Sequence, residues 1–440
     1  MTASDPTRRT WPQRITIGAA VIGAMACLTS AAALASGRWV LSQRQLVVID
    51  DPTTTISAEG SAPKNADDVL VDPLANDPQV EVIDGEVEPG ATNFLLVGTD
   101  NNACVDPDSP YAPFILGREN FGERADVIQM WRVNSDTGAV AALSFPRDLF
   151  VRIDGGRQGR INIAFDPSDP NRLISTIRSN FGIETDHYVQ IDFCAFKRMV
   201  DSVDGVGIPL DYPIRDRGTG LTIASTGCVS LDGDDALAYV RARKLEYERP
   251  AGSDNWVLDP SSDWGRIARQ QDFLRRTIAK VISAGLYQPS VARALIEANA
   301  DDVITDSDLS LSAMLGFASV LRSVDTATIG SYQIEATGRT VGGQAVLIPT
   351  VASDSMQAIL DIFQGDSTIE GSPVRLSELA EATTTTIPMP DTTTVENTVE
   401  NTVEPGSAGE LTPRLGLIPR QVGPDDNTIG WVPDPSVICG

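Results

Sequence analysis

The chain has 440 residues, 42% of them hydrophobic, and carries 60 Asp and Glu against 34 Lys and Arg, a formal charge of −26. That balance excludes duplex nucleic acid as a general partner, which requires a basic footprint. A single histidine, His187, excludes a Ser–His–Asp triad unless it is the base, and leaves carboxylates as the natural acid–base groups.

Residues 1–14 read as a cytoplasmic tail carrying Arg8, Arg9 and Arg14. The uncharged run "ITIGAAVIGAMACLTSAAALAS" follows, and 15–37 is long enough to span a bilayer. Arginines before the run predict a single-pass protein of the cell membrane, N-terminus inside and the remainder extracytoplasmic. A cleaved signal peptide is the competing reading, since "ALAS" offers small residues for cleavage. Residues 38–90 are rich in Asp, Pro and Thr and read as an extracytoplasmic linker.

The folded domain is expected over 91–365. "TNFLLVGTD" is a short strand ending in a Gly–Thr–Asp turn, and a long loop runs from it to Arg124. "ADVIQMWRVN" is a second strand, with Ala139–Phe145 as its hairpin partner. Leu173–Phe181 is spaced as a helix, "HYVQIDF" as a strand, and "CAFKRMVDSVDG" as a helix closed by Gly205. "DDALAYVRAR" is helical or a helix–strand edge. In "WGRIARQQDFLRRTIAKVISAG" Ile267, Leu274, Ile278, Val281 and Ile282 share a helix face. A further helical stretch over 289–321, the strand-like "GRTVGGQAVLIPT" and a last helix "SMQAILDIFQ" complete the domain. The alternation predicts an α/β fold, with α+β as the variant, built on a central mixed sheet covered by helices. Residues 366–440 read as a low-complexity, largely disordered tail. Cys104, Cys194, Cys228 and Cys439 lie outside the apolar run, an even number that suits disulfides in an exported domain.

The arginines are clustered: 19 lie between Arg118 and Arg276, and lysine is scarce throughout. A GC-rich genome accounts for the preference over lysine but not for the clustering. Gathered at one end of a sheet, Asp100 and Asp126 would suit Mg²⁺, and Arg124, Arg147, Arg160, Arg241, Arg243, Arg266 and Arg269 would hold phosphate oxygens. In "LSFPRDLF", Pro146 stops a strand and leaves Arg147 beside Asp148. If extended, "YVRAR" puts Arg241 and Arg243 on one face.

The ordered blocks "FLLVGTD", "ERADVIQMWRV", "LSFPRDLFVRI", "RINIAF", "HYVQIDFCAFKRMVDSVDGVGI", "LDGDDALAYVRARK" and "DWGRIARQQDFLR" resemble the LytR–CpsA–Psr proteins of Gram-positive cell walls, from about Asn93 to Gly285. The resemblance implies a phosphotransferase that takes a glycopolymer from a polyprenyl-pyrophosphate carrier. It would join that glycopolymer to peptidoglycan by a phosphodiester and release polyprenyl phosphate. The partners implied are the polyprenyl-pyrophosphate-linked glycan, peptidoglycan and membrane lipid. By position, Asp100 and Asp126 would hold Mg²⁺, with Mn²⁺ an alternative. Arg147, Asp148, Arg241 and Arg243 would be catalytic. Arg124, Arg160, Asn162, Arg266, Arg269 and Gln270 would bind pyrophosphate. Against many members, the loop after Asp100 is long. Asp106 and Asp108 on it are possible competing ligands, and Cys104 would tether it through Cys194 or Cys228. His187 is read as structural. A polyprenyl-pyrophosphate pyrophosphatase and a non-catalytic polyprenyl-lipid-binding wall protein are the alternatives.

Overall fold

A computed structural model describes residues 45–50, 88, 90–116, 123–283, 303–310, parts of 313–324, 326–369, 426–434 and 436–439. The expected anchor at 15–37, most of the linker and most of the tail lie outside these residues. Among the described residues no helix is long and apolar enough to cross a membrane.

The chain forms a mixed sheet of seven strands: β1 (Gln45–Val47), β2 (Ala91–Thr99), β3 (Ala125–Asn134), β4 (Val140–Ser144), β5 (His187–Ile191), β6 (Val303–Asp306) and β7 (Gly330–Gln333). Their order across the sheet is β1-β6-β5-β2-β3-β4-β7. β2, β3 and β4 pair antiparallel in sequence, and β5 joins β2 in parallel. β1 occupies the stretch expected to be linker, and β6 falls within the expected helix over 289–321. Both are short strands whose pairing with each other, and of β6 with β5, supplies what three or four residues cannot show by periodicity.

Among the described residues, helices flank the sheet. They are the single turn α1 (Ala112–Ile115), α2 (Asn171–Phe181), α3 (Phe193–Ser202), α4 (Gly233–Arg241), α5 (Asp263–Ser283) and α6 (Asp354–Gln364). Their ends are set locally. The Asp192 carboxylate caps α3 by accepting from the Ala195 N–H, Asp232 caps α4, and Ser353 caps α6. α6 ends at Gly365, whose φ of 93° is open to glycine at little cost.

Alternation along β2 divides the core. Leu95 and Val97 join Ile128, Met130 and Leu143 on one face, under Leu173 and Ile177 of α2 and Ile359, Leu360 and Phe363 of α6. Phe94 and Leu96 look the other way, with Trp131 and Ala142, toward Leu274 and Ile278 of α5. α3 and α4 lie on this second side, over a cluster holding Val200, Ile208, Tyr239 and Phe273. The stretch "GRTVGGQAVLIPT" is a hairpin, Ala336–Val341 against Gln344–Pro349, turned at Gly342 and Gly343 with φ of 55° and 78°.

Cys104 is bonded to Cys194, fastening the loop after β2 to α3. Cys228 is bonded to Cys439, and 426–434 with 436–439, within the expected disordered tail, packs back on the domain. Asp426 and Asn427 accept from the N–H groups of Ser331 and Gln333, both at 2.8 Å, covering the open edge of β7. Arg276 of α5 donates to the carbonyls of Val437 (2.7 Å) and Asp434 (2.9 Å). The Cys228–Cys439 link spans 211 residues of sequence, so opening it releases a large unfolded-state constraint. Cys439→Ser is expected to cost about 2–5 kcal/mol in urea unfolding. An unchanged midpoint would show that the strap does not secure α5.

Candidate functional site

Antiparallel pairing brings the end of β2, the start of β3 and the end of β4 to one edge of the sheet. Thr99 pairs with Ala125 across an irregularity at Gly98 and Thr99, which leaves Asp100 and Asp126 on neighbouring strand ends. Asp100 accepts from the Arg124 backbone N–H (2.8 Å) and lies 3.4 Å from its guanidinium.

Phe145 continues the ladder by donating its N–H to Ile128. Pro146 has no N–H to continue it. A turn closed by the Leu149 N–H on the Pro146 carbonyl follows, with Phe145 and Leu149 both buried. Arg147 and Asp148 are therefore held out between two core anchors. Arg147 is bonded to Asp126, and Asp148 lies 3.4 Å from Arg160. Arg160 also donates to the Ala345 carbonyl at 2.8 Å. The Asn162 N–H meets the Arg147 carbonyl at 3.2 Å, so the "RIN" segment braces this turn.

The opposite wall comes from α4, α5 and the link between them. Arg241 ends α4, its guanidinium over the Phe193 ring and donating to the Phe114 carbonyl at 3.2 Å. The "YVRAR" segment is thus helical through Arg241, and only Ala242 beyond it is extended. Asp263 at the start of α5 lies 3.1 Å from both Arg243 and Arg266. Sequence reasoning assigned it no role, although it opens the quoted "DWGRIARQQ".

Arg269 sits elsewhere. It is 1% exposed, paired with Asp259 at 3.1 Å and bonded to the Ala242 carbonyl at 2.5 Å, and it does not line the cavity described below. A pyrophosphate clamp was expected there. One helical turn of three residues points Arg269 to the α4 side, where it pins the peptide between Arg241 and Arg243. Asp106 and Asp108 lie in local turns of the loop, and Asp108 donates its N–H to the Asp106 carboxylate. His187 lies against Phe94 and beside the buried Asp306.

Behind the charged edge opens a cavity of about 870 Å³ of empty volume, mouth included. Its walls are Leu96 and Val127 of the sheet, Phe196 and Met199 of α3, Val240 of α4 and Phe273 of α5, and its polar end carries Asp126, Arg241, Arg266 and Gln270. Gln270 donates to the Val240 carbonyl (3.1 Å), tying α5 to α4.

The charges are strongly coupled. Burial alone would raise the Asp126 carboxyl, but Arg147, then Arg266 and Arg243, hold it below the usual carboxylate range. Burial works against the Arg147 cation too, yet Asp126, Asp148 and Asp263 raise it above an ordinary arginine. Arg243 is lowered to about 10, by burial first and then by the neighbouring Arg266 cation. Guanidiniums that repel one another in a partly desolvated edge are relieved by an incoming anion. The Nε donors of Arg147 and Arg266 are buried without a hydrogen-bond acceptor among the described residues.

The edge thus joins an apolar chamber to a rim of guanidiniums and carboxylates. This chain belongs to the LytR_cpsA_psr family, whose model matches residues 64–362. It is 28% identical over 291 residues to the cell wall biosynthesis protein LcpA of Corynebacterium glutamicum, covering 58% of this chain and 53% of that protein. It is 28% identical over 236 residues to the polyisoprenyl-teichoic acid–peptidoglycan teichoic acid transferase TagU of Enterococcus faecalis, covering 52% and 71%. The chain thus spans about half the length of LcpA. Among solved structures it is similar to the LytR-Csp2A-Psr enzyme from Actinomyces oris, with TM-score 0.47 and 23% identity over 64% of this chain and 92% of that one.

Two variants separate frame from site. Arg269→Ala leaves the buried Asp259 without its cation and is expected to cost about 3–5 kcal/mol of stability in urea unfolding; a loss below 1 kcal/mol would return Arg269 to the list of ligand contacts. For Asp126, the folded value is depressed, so its stabilisation is complete above the unfolded value near 3.9 and is lost as pH falls through the folded one. Asp126→Asn is expected to flatten that acid limb of the stability profile.

Proposed function

We propose that this protein transfers a glycopolymer from a polyprenyl-pyrophosphate carrier to peptidoglycan. The observation that carries the reading is the joining of an apolar cavity to a rim of guanidiniums and carboxylates, which suits a ligand with an isoprenoid tail and a pyrophosphate head. The name of the TagU relative points the same way.

In this reading the tail lies among Leu96, Phe196, Met199 and Phe273, and Arg147, Arg243 and Arg266 take the pyrophosphate oxygens. Arg124, Arg160, Arg241, Asn162 and Gln270 surround the same edge. A peptidoglycan hydroxyl attacks the phosphorus bearing the glycan, the bond from that phosphorus to the bridging oxygen breaks, and polyprenyl phosphate leaves. The hydroxyl proton is given up to a carboxylate of the rim, for which Asp148, held by Arg160, is the candidate. Phosphoryl transfer of this kind is chiefly positioning and charge neutralisation, so it runs without a histidine.

Asp100 and Asp126 suit Mg²⁺, or Mn²⁺ in its place, because adjacent strand ends offer two hard carboxylates and phosphate oxygens with water can complete the shell. Among the described residues no cluster of three or more His, Cys, Asp or Glu lies together, so an ion held here would depend on the pyrophosphate oxygens for the rest of its shell. When bound, such an ion neutralises charge on the pyrophosphate. Arg124 and Arg147, which the two carboxylates hold here, would then be turned toward the substrate.

Two disulfides support an extracytoplasmic site for the reaction, beside a membrane in which residues 15–37 would anchor the chain.

The test uses the full-length chain in detergent with a polyprenyl-pyrophosphoryl oligosaccharide, Mg²⁺ and peptidoglycan fragments. Release of polyprenyl phosphate is expected together with glycan coupling, dependent on Mg²⁺ and reduced at least about a hundredfold in Arg147→Ala and Asp126→Ala. Lipid phosphate released without coupling would make the protein a pyrophosphatase. Lipid binding without turnover, unchanged by either substitution, would make it a non-catalytic carrier.

A further inference from the structure

The cavity wall carries a polar group that the expected transfer site does not account for. Gln129 of β3 is 1% exposed and faces the chamber between Val127 and the indole of Trp131. Its Oε1 accepts from the Trp131 Nε1–H at 3.0 Å. An indole N–H can only donate, so this bond fixes which end of the amide is oxygen. The amide nitrogen is thereby turned away from Trp131, and Nε2 has no hydrogen-bond partner among the described residues. Thr99, on the neighbouring strand and the same wall, likewise has a buried hydroxyl without a partner.

The place of Gln129 is as informative as its missing acceptor. A small recess behind Arg147 and Ile267 adjoins the large cavity, and the two share Asp126, Val127, Gln129, Arg266 and Gln270. Gln129 therefore lies where the charged edge gives way to the apolar chamber. Burying an amide N–H without an acceptor is unfavourable, and a bound acceptor offsets that cost.

We propose that Gln129 is a substrate-binding residue whose Nε2–H donates to an oxygen of the phosphate ester at the junction of the ligand's anionic head and isoprenoid tail. This rests on the amphipathic ligand proposed above and adds a contact that reads the junction rather than the charge. A free anion can settle among the arginines without reaching Gln129. A prenylated one is held with its ester beside it.

The experiment is calorimetric titration of the full-length chain in detergent with geranylgeranyl pyrophosphate and, separately, inorganic pyrophosphate. Wild type is compared with Gln129→Leu and Gln129→Glu, with thermal unfolding followed in parallel. Gln129→Glu keeps an acceptor for Trp131, so it controls for any loss of fold in Gln129→Leu. Both variants are expected to bind geranylgeranyl pyrophosphate about ten- to a hundredfold more weakly. The affinity of Gln129→Leu for inorganic pyrophosphate should stay within about threefold of wild type, a change under 1 kcal/mol; Gln129→Glu, whose carboxylate opposes either anion, serves as the stability control. Unchanged affinity for the prenylated ligand would overturn the proposal and assign Nε2 to a trapped water. Equal losses for both ligands in Gln129→Leu would overturn the junction assignment. No binding of the prenylated ligand by wild type would overturn the proposed transfer and this contact with it.

Discussion

The ion pair between Asp126 and Arg147 joins a strand start to a turn that the sheet has already brought to the same edge. Asp126 opens β3 and Arg147 follows β4, and antiparallel pairing makes those ends neighbours. Both groups are partly withdrawn from water, a state that disfavours each charge unless the other is present. The rest of the edge extends the same constraint. Arg147 is flanked by Asp148, Asp148 by Arg160, and Asp263 joins Arg243 to Arg266. Each of these guanidiniums has a carboxylate neighbour, yet the buried Nε donors of Arg147 and Arg266 make no hydrogen bond among the described residues.

This edge is an exception within its own molecule. A chain of net charge −26 repels anions at long range. Focusing arginines at the mouth of a low-dielectric chamber reverses the sign locally, where the field is least screened. The apolar walls then do two things. They offer apolar surface, and they strengthen the attraction at the rim by keeping water away from its inner side.

α5 is where frame and site meet. Its middle, residues 265–277, is buried on nearly every side, including Arg266, Arg269, Gln270, Gln271, Asp272 and Arg276. Arg266 and Gln270 face the cavity. Arg269 holds the α4–α5 link, Gln271 bonds the sheet through the Tyr332 carbonyl, and Arg276 receives the C-terminal strap. Such polar burial is tolerable because Arg269, Gln270, Gln271 and Arg276 bond to other elements, while Asp272 pairs with Arg275 and Arg276 along the helix itself. It also makes the helix a rigid carrier for the two residues that reach the site.

Strand periodicity in "FLLVGTD" and "ADVIQMWRVN", and helical spacing in "SMQAILDIFQ", determined those elements from the sequence alone, because apolar repeats report directly on which face is buried. The proline of "FPRDLF" likewise announced that Arg147 would leave a strand. Other features waited on the tertiary structure. β1 and β6 are too short for periodicity and exist through their partners, and the C-terminal strap is held by backbone groups and Cys228, from far along the chain. The division of labour between Arg266 and Arg269 was equally closed to the sequence. Both are arginines on one helix, three residues apart, and only the packing of α4 decides that one meets the cavity and the other a buried carboxylate. Charge type is written in the residue, but whether a charge serves a ligand or the fold depends on which neighbour the fold brings within reach.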